Sequence, residues 1–342
     1  FREPIGVCGL IAPWNFPIAI TAWKTAPALA MGNSIVLKPA SQTPLTALRL
    51  AELAIEAGIP AGVFNVVTGS GTQAGEALVR HPLVRKISFT GSTEIGTHVM
   101  KLAADDIKRV TLELGGKSAN LIFADADLET AAPKSMWSVL GNAGQDCCAR
   151  SRILVERSIY AEFLDRLTAQ FQTLKLGHPL DEATEIGCLI SSQHRDRVRD
   201  YIAIGQAEGA KLLCGGDIPE ALSSGAYLQP AIFADVQPDM RIAREEIFGP
   251  VVCVVPFYSE SEAIAIANDS LYGLSGSIWT RDISRALRVA KAIETGVLSI
   301  NTGHSVHLEA PFGGVKQSGL GRELGLAALD HYSEIKSIFI AD

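Results

Sequence analysis

The 342-residue sequence has no CxxC and no HExxH arrangement, so its six cysteines and seven histidines show no metal-ligand spacing and no protein metal site is expected. It has no Lys/Arg block, and its formal net charge of −7 adds to the case against a nucleic-acid surface. It lacks any run of about 18 charge-free apolar residues, so no membrane-spanning helix is expected. The opening Phe1-Arg2-Glu3-Pro4 does not resemble a signal or transit peptide. Internal repeats and low-complexity linkers are also missing. The cysteines fall at 8, 147, 148, 188, 214 and 253, which in a chain this long is not a disulfide framework, so a reducing, cytoplasmic setting is expected. What is present is a composition of 47% hydrophobic and 20% charged residues, enough for two domains with a well-buried core.

Strand and helix signals alternate from the start. Gly6–Ala12 reads as a strand, and a helical stretch from Ile18 to Met31 stops at Gly32. Ser34–Lys38 is a β-rich run; Thr43 and Pro44 resemble a cap and first helical position, with a stop at Gly58. Val63–Val67, Lys86–Thr90, Val110–Leu114 and Ala119–Phe123 read as strands, Thr72–Arg80 and Thr93–Ala104 as helices. Beyond about residue 116, Asp127–Val139 and Ala161–Leu174 have helical period, flanking the strand Ser151–Val155. The alternation resumes through Val251–Phe257, Ser261–Asn268, Gly276–Thr280, Ile283–Ile293 and Gly296–Asn301. A glycine-rich loop, 311–325, precedes an extended Glu334–Ile340. This order predicts α/β architecture with parallel, doubly wound sheets in two Rossmann-like domains, whose ligands bind at the carboxyl ends of strands.

The most informative pairing joins Glu113, in Glu113-Leu114-Gly115-Gly116-Lys117, to Cys147, 34 residues later in Gly144-Gln145-Asp146-Cys147-Cys148. A thiol can attack an electrophilic carbon and hold it covalently, and a carboxylate can activate the water that releases the product. Glycines and small polar residues around both suit close approach of a ligand to the main chain. Each half also has a bland alternative: a buried core cysteine, a solvated glutamate.

Other segments carry weaker signals. Gly69-Ser70-Gly71-Thr72-Gln73-Ala74 imitates a dinucleotide fingerprint, yet it could be an ordinary strand-to-helix turn. Phe89-Thr90-Gly91-Ser92 leads a strand into a helix start that favours anions, or Ser92 simply caps that helix. Asn15, in Pro13-Trp14-Asn15-Phe16-Pro17, can donate to a developing oxyanion or be a turn residue. Lys38 before Pro39 can be a ribose ligand or a surface lysine, and Glu245-Glu246-Ile247-Phe248-Gly249-Pro250 can be an acidic helix end.

Together, in this order, the segments resemble the aldehyde dehydrogenase superfamily, NAD(P)-dependent enzymes that oxidise aldehydes to carboxylates. The motifs are PWNFP at 13–17, KPA at 38–40, FTGS at 89–92, ELGGK at 113–117, GQDC at 144–147, EEIFGP at 245–250 and PFGGVKQSGLGRELG at 311–325. The resemblance implies Cys147 as nucleophile, Glu113 as general base, and Asn15 with the Cys147 backbone N–H as oxyanion hole. It implies Lys38 and Glu246 on ribose hydroxyls, Ser92 on the pyrophosphate and Phe248 beside the nicotinamide ribose. It also implies further cofactor contacts at Ser41, Gly71, Gly91 and Leu114, with Gly71 toward the adenine end.

Glu113 favours hydrolysis over CoA acylation, since acylating members that resemble this pattern lack it. Cys148 is expected to point away from the nucleophile. The tunnel positions would be Phe16, Trp23, Asp146, Cys148, Val306, His307 and Phe312, with Trp23 favouring an uncharged or aromatic aldehyde. His304 and His307 can instead be solvent-facing. Ser41 stands where strictly NAD-preferring relatives often carry a glutamate, so NADP as well as NAD is an expected cofactor.

The domains implied are a partial cofactor domain at 1–115, a catalytic domain at 116–317, and a C-terminal return and oligomerisation strand at 318–342, in a homodimer or homotetramer. Members of the family usually carry about 150 further residues before the equivalent of Phe1, the size of a typical domain. The cofactor domain is therefore expected to be N-terminally truncated and Glu334–Ile340 to lack its usual mate. The alternatives are a catalytically silent fragment or binding protein that keeps the fold, and a cysteine esterase without redox function.

Overall fold

A computed structural model describes residues 1–342, which divide into two compact units, Phe1–Gly115 with Val306–Asp342 and Gly116–Ser305. Residues 306–317, assigned from sequence to the catalytic block, cluster with the first unit.

The first unit runs β1 (Arg2–Pro4), β2 (Val7–Ile11), α1 (Pro17–Ala30), β3 (Ser34–Lys38), α2 (Leu45–Glu56), β4 (Phe64–Val66), α3 (Glu76–Arg80), β5 (Val84–Thr90), α4 (Thr93–Ala104) and β6 (Arg109–Glu113). Its sheet has the order Gly319–Leu320, β6, β5, β2, β3, β4; the first pair is antiparallel and the rest parallel. From β2 the chain moves outward to β3 and β4, then resumes on the other side with β5 and β6. The reversal between β2 and β5 is the kind of switch point where α/β sheets bind ligands at strand carboxyl ends. Apolar clusters form on the sheet, one built on Ile87, Phe89 and Leu112, another on Leu10, Ile35 and Leu37.

Local chemistry sets the ends of these elements. Pro17 opens α1, where its missing N–H costs no helical bond. Ser92 caps α4, its Oγ accepting from Ile95 N at 3.4 Å. The helix predicted over 72–80 divides into a wide π turn, Gly71–Gly75, and the short α3. Glycines at both ends and the Ser70 cap on Gln73 N, 3.1 Å, favour that turn over a uniform α-helix.

The extended 334–340 segment is the clearest departure. Only Ser333–Ile335 forms a strand, and it has a mate: β1, in antiparallel register Arg2 to Ile335. β1 is three residues long, so the ladder ends there. The return is also held by buried polar groups. Lys24, fully buried, donates to Ser88 Oγ at 3.0 Å and pairs with Glu323. Lys86, likewise fully buried, donates to Thr111 Oγ1 at 2.9 Å with its Nζ 4.7 Å from the Tyr332 ring centroid. Burial pushes the Lys86 amine down to about 7.

The second unit continues with β7 (Ala119–Ile122), α5 (Leu128–Leu140), β8 (Arg152–Glu156), α6 (Tyr160–Gln172), α7 (Ser192–Ala207), β9 (Lys211–Cys214), β10 (Ala231–Ala234), α8 (Arg241–Arg244), β11 (Val251–Phe257), α9 (Glu260–Asn268), β12 (Ser275–Trp279), α10 (Ile283–Ala292) and β13 (Val297–Ile300). Its sheet has the order β13, β12, β7, β8, β11, β10, β9, parallel except at β9. Ile153, Leu154 and Val251 to Val254 are fully buried, as expected of central parallel strands covered on both faces. No helix of the chain is long and apolar enough to cross a membrane.

Candidate active site

In the first unit, five successive strand ends carry five of the segments singled out from sequence. Pro13 to Pro17 follows β2, Lys38 to Ser41 ends β3, Val67 to Gly71 follows β4, Thr90 to Ser92 ends β5, and Glu113 to Gly115 ends β6. Because these five strands run parallel, all of the segments fall on one edge of the sheet. Glu113 is buried, paired in register with Thr90 and Gly319, and its carbonyl accepts from Gly91 N at 3.1 Å. Leu114 N donates to Ser318 O at 2.9 Å. Asn15 lies in the half-buried bend before Pro17.

An apolar recess of about 130 Å³ lies at this edge, walled by Ile11, Val79, Phe89, Ile95 and Val99, with Lys38, Gly71, Thr72 and His98 also lining it. Lys38 is buried, its Nζ donating to Pro39 O at 3.0 Å, and burial lowers its pKa. Ser41 is exposed; its Oγ donates to Gly69 O at 3.0 Å. Trp23 and Phe312 form an edge-on ring pair, centroids 5.3 Å apart at 60°. Phe16 and His307, two of the other tunnel positions, also fall in this unit, with Val306 at the point where the chain re-enters it.

The second unit presents Cys147 on a strained turn. After α5 the chain passes through Asn142, Ala143 and Gly144 with φ of 51°, 55° and 75°, three consecutive left-handed residues. Each non-glycine there costs roughly 1–2 kcal/mol. A reciprocal side-chain pair offsets this: Asn142 Nδ2 donates to Gln145 O at 3.2 Å, and Gln145 Nε2 donates to Asn142 O at 3.1 Å. Gln145 Oε1 also accepts from Ile190 N at 2.8 Å. Cys147 is half-buried and Cys148 buried.

Cys148 is buried beside the candidate nucleophile. The ligand atoms of Asp146, Cys147 and Cys148 all lie within 4.8 Å of one another, because Asp146 Oδ1 accepts from Cys148 N at 2.8 Å and folds the three residues together. Burial pushes the Asp146 carboxyl up, against hydrogen bonds from the Cys148 N–H and the Cys147 thiol. Arg150, buried beneath, donates to Ser277 Oγ at 2.8 Å and Cys148 O at 3.2 Å.

Two glycines fix where this loop can lie. A Cβ on Gly116 would stand 2.3 Å from Cys147 O, and one on Gly144 would stand 2.2 Å from Gly249 O. Glu246 Oε1 accepts from Gly116 N at 2.9 Å, and burial pushes the Glu246 carboxyl up to about 7. Phe248 adopts φ 61°, and its carbonyl accepts from His194 Nε2 at 2.7 Å. His194, Arg150 and the Asn142–Gln145 reciprocity were not singled out from sequence. Only Ser191, three residues before His194, carried a local signal, as the cap of α7.

A doubly wound sheet with an anion-favouring helix start and an apolar recess at its switch point defines a dinucleotide-binding α/β protein, here with a cysteine held on a strained turn in its second unit. The aldehyde dehydrogenase family model matches residues 1–338. The betaine aldehyde dehydrogenase of Sinorhizobium fredii is 49% identical over 340 residues, 99% of this chain and 70% of the relative, and that of Bacillus subtilis is 48% identical over 340 residues. Among solved structures, betaine aldehyde dehydrogenase from Staphylococcus aureus in complex with NAD+ matches with a TM-score of 0.96 at 44% identity, covering 97% of this chain and 66% of that one. An NAD-dependent aldehyde dehydrogenase from Sinorhizobium meliloti matches with a TM-score of 0.97 at 46% identity, covering 99% and 67%. The chain belongs to the aldehyde dehydrogenase family and has the fold and sequence of an NAD(P)-dependent aldehyde dehydrogenase. It spans about two thirds of the length of the solved relatives.

Proposed function

We propose that the chain oxidises a small aldehyde to its carboxylate with NAD or NADP, and that the preferred aldehyde carries a quaternary ammonium group, as betaine aldehyde does. The observation that carries the cofactor half is the set of five segments on five adjacent strand ends around the apolar recess. Those residues fit a dinucleotide: the recess suits an apolar base, Lys38 can hold ribose hydroxyls, and the N–H groups behind the Ser92 cap favour a pyrophosphate. The Ser41 hydroxyl puts no carboxylate where a 2′-phosphate would be repelled, which supports acceptance of NADP. For the substrate half, the named relatives support a cationic aldehyde in place of the uncharged or aromatic one expected from sequence, and the half-buried Trp23, edge-on to the buried Phe312, is the ring proposed to meet the cation.

In this reading the Cys147 thiolate attacks the aldehyde carbon and makes a thiohemiacetal, with Asn15 and the Cys147 N–H stabilising the oxyanion. The nicotinamide, when bound, supplies the hydride acceptor. Cys147 then holds the acyl group as a thioester, and Glu113 takes a proton from the water that hydrolyses it. Glu246 and Phe248 hold the ribose next to the reactive ring. A homodimer or homotetramer in a reducing compartment completes the reading, supported by six unbridged cysteines and by Ile338, Phe339 and Ile340, which leave a C-terminal apolar run exposed.

The test is cofactor reduction by the purified chain with NAD and NADP over betaine aldehyde, an uncharged aliphatic aldehyde and an aromatic aldehyde. The highest kcat/KM is expected with betaine aldehyde. No reduction with any pair, together with no cofactor binding, would instead identify a silent fold, and ester hydrolysis alone would identify a thiol esterase.

Glu246 gives this reading a pH signature. Its carboxyl, raised to about 7, is mostly neutral below that pH and charged above it. A carboxylate accepts ribose hydroxyls more strongly than the neutral acid does. Cofactor affinity is therefore expected to rise between about pH 6 and pH 8, and Glu246→Gln to flatten that rise. Titration calorimetry across the range checks it; an unchanged profile in the variant contradicts the role.

A further inference from the structure

The first three turns of α7 present one face to the loop that carries Glu246 and Phe248. His194, Val198 and Tyr201 stand at i, i+4 and i+7, the spacing of a single helix face. Each holds a different loop residue. His194 Nε2 donates to Phe248 O at 2.7 Å, with the two rings edge-on at 6.2 Å and 70°. The Val198 methyl groups lie so close to Gly249 that a Cβ there would meet them at 2.6 and 2.8 Å. Tyr201 Oη donates to Glu245 Oε2 at 2.8 Å, and Arg241 Nε donates to Oε1 of the same carboxylate at 2.8 Å.

The loop needs such restraint. Phe248 sits at φ 61°, a left-handed conformation unfavourable for a residue with a side chain, which persists only where the surroundings determine it. Burial keeps His194 toward its neutral form, and a neutral imidazole meeting a carbonyl through Nε2 must carry its proton there. The bond is therefore directional: it fixes the Phe248 peptide plane and, through φ and ψ, where the Phe248 ring points.

We infer that His194 is a positioning residue for the cofactor: through its bond to the Phe248 carbonyl it holds the left-handed Phe248 backbone, and so sets the wall against which the nicotinamide ribose lies. The assignment rests on the proposed role of Phe248; the clamp itself is a property of the protein without cofactor. No segment resemblance pointed to His194, and it reaches the site from 54 residues away in sequence.

Two substitutions separate the hydrogen bond from the ring contact. His194→Phe keeps an aromatic ring against Phe248 and removes the donor, whereas His194→Gln supplies an amide donor without the ring. His194→Phe is expected to raise KM for NAD(P) roughly tenfold, the consequence of losing one buried hydrogen bond, with the cofactor-free hydrolysis of an activated ester by Cys147 within about twofold of wild type. His194→Gln should recover part of the affinity. Equal loss of ester hydrolysis and cofactor affinity would make His194 a general fold contact and overturn the inference, as would an unchanged KM. Hydrogen exchange on the cofactor-free protein tests the clamp separately: the amides of 246–250 should exchange faster in His194→Phe than in wild type. If the wild type neither binds nor reduces a nicotinamide, the proposed function fails while this comparison still decides the clamp. Unchanged exchange there removes it.

Discussion

Cys147→Ala is expected to abolish cofactor-linked aldehyde oxidation, lowering kcat by about four orders of magnitude or more, while cofactor affinity stays within about twofold of wild type. The effect is that large because no neighbouring group can take over the covalent step. Cys148 is the one candidate substitute, with its sulfur within 4.8 Å, but it is buried with its backbone N–H tied to Asp146. Cys148→Ala is accordingly expected to retain turnover, and the reverse result would exchange the two assignments. The companion substitution Glu113→Gln separates the two halves of the reaction. A pre-steady-state burst of reduced cofactor should persist, followed by slow steady-state release of the acid, since in the proposed mechanism only thioester hydrolysis needs the base. A variant without the burst would contradict the role given to Glu113. All of this is read by stopped-flow absorbance of the reduced nicotinamide.

Gly116→Ala is the second large effect, and it acts without touching a reacting atom. The new methyl would stand 2.3 Å from the Cys147 carbonyl oxygen, and both partners are main chain. Neither can rotate away, so the Cys147 loop or the chain at Gly116 must shift. A displacement of about 1 Å at a nucleophile can cost on the order of 100-fold in rate, and overpacking of this kind costs about 1–3 kcal/mol in stability. Gly116 N is also the donor to Glu246, so cofactor affinity should weaken in the same variant. Gly141→Ala is the control. A Cβ there meets nothing within 4 Å, and its φ of −48° suits any residue. If Gly116→Ala matched Gly141→Ala in kcat and in thermal unfolding, the close approach would carry no functional weight.

Much of the first unit was legible because its chemistry travels in short contiguous segments. Ser34–Lys38 and Thr93–Ala104 were bounded from sequence as they fold, since a β-branched run and a capped amphipathic stretch each carry their own limits. The 72–80 segment was misread as one helix because helical propensity says nothing about a glycine-bounded π turn. The 334–340 segment was misread for a different reason. Its residues favour extension, but a strand lasts only as long as its partner, and β1 offers three residues. The region between α6 and α8, including the clamp helix α7, carried no recognisable segment, and its placement depends on the core it joins.

The sequence by itself determined the family, the identity of Cys147, Glu113 and Asn15 as the residues to test, and the strand-end location of the candidate cofactor segments of the first unit, because parallel α/β order forces every such connection to the same edge of a sheet. Only the tertiary structure decided how closely the chain passes itself: Gly116 against Cys147 O, Gly144 against Gly249 O, and His194 on the Phe248 carbonyl. Those contacts join residues 31, 105 and 54 positions apart, as 147 − 116, 249 − 144 and 248 − 194 give. A glycine needed for close approach and a histidine needed for one carbonyl look, in sequence, like any other glycine and histidine. What distinguishes them is the atom opposite, and that atom is supplied by folding.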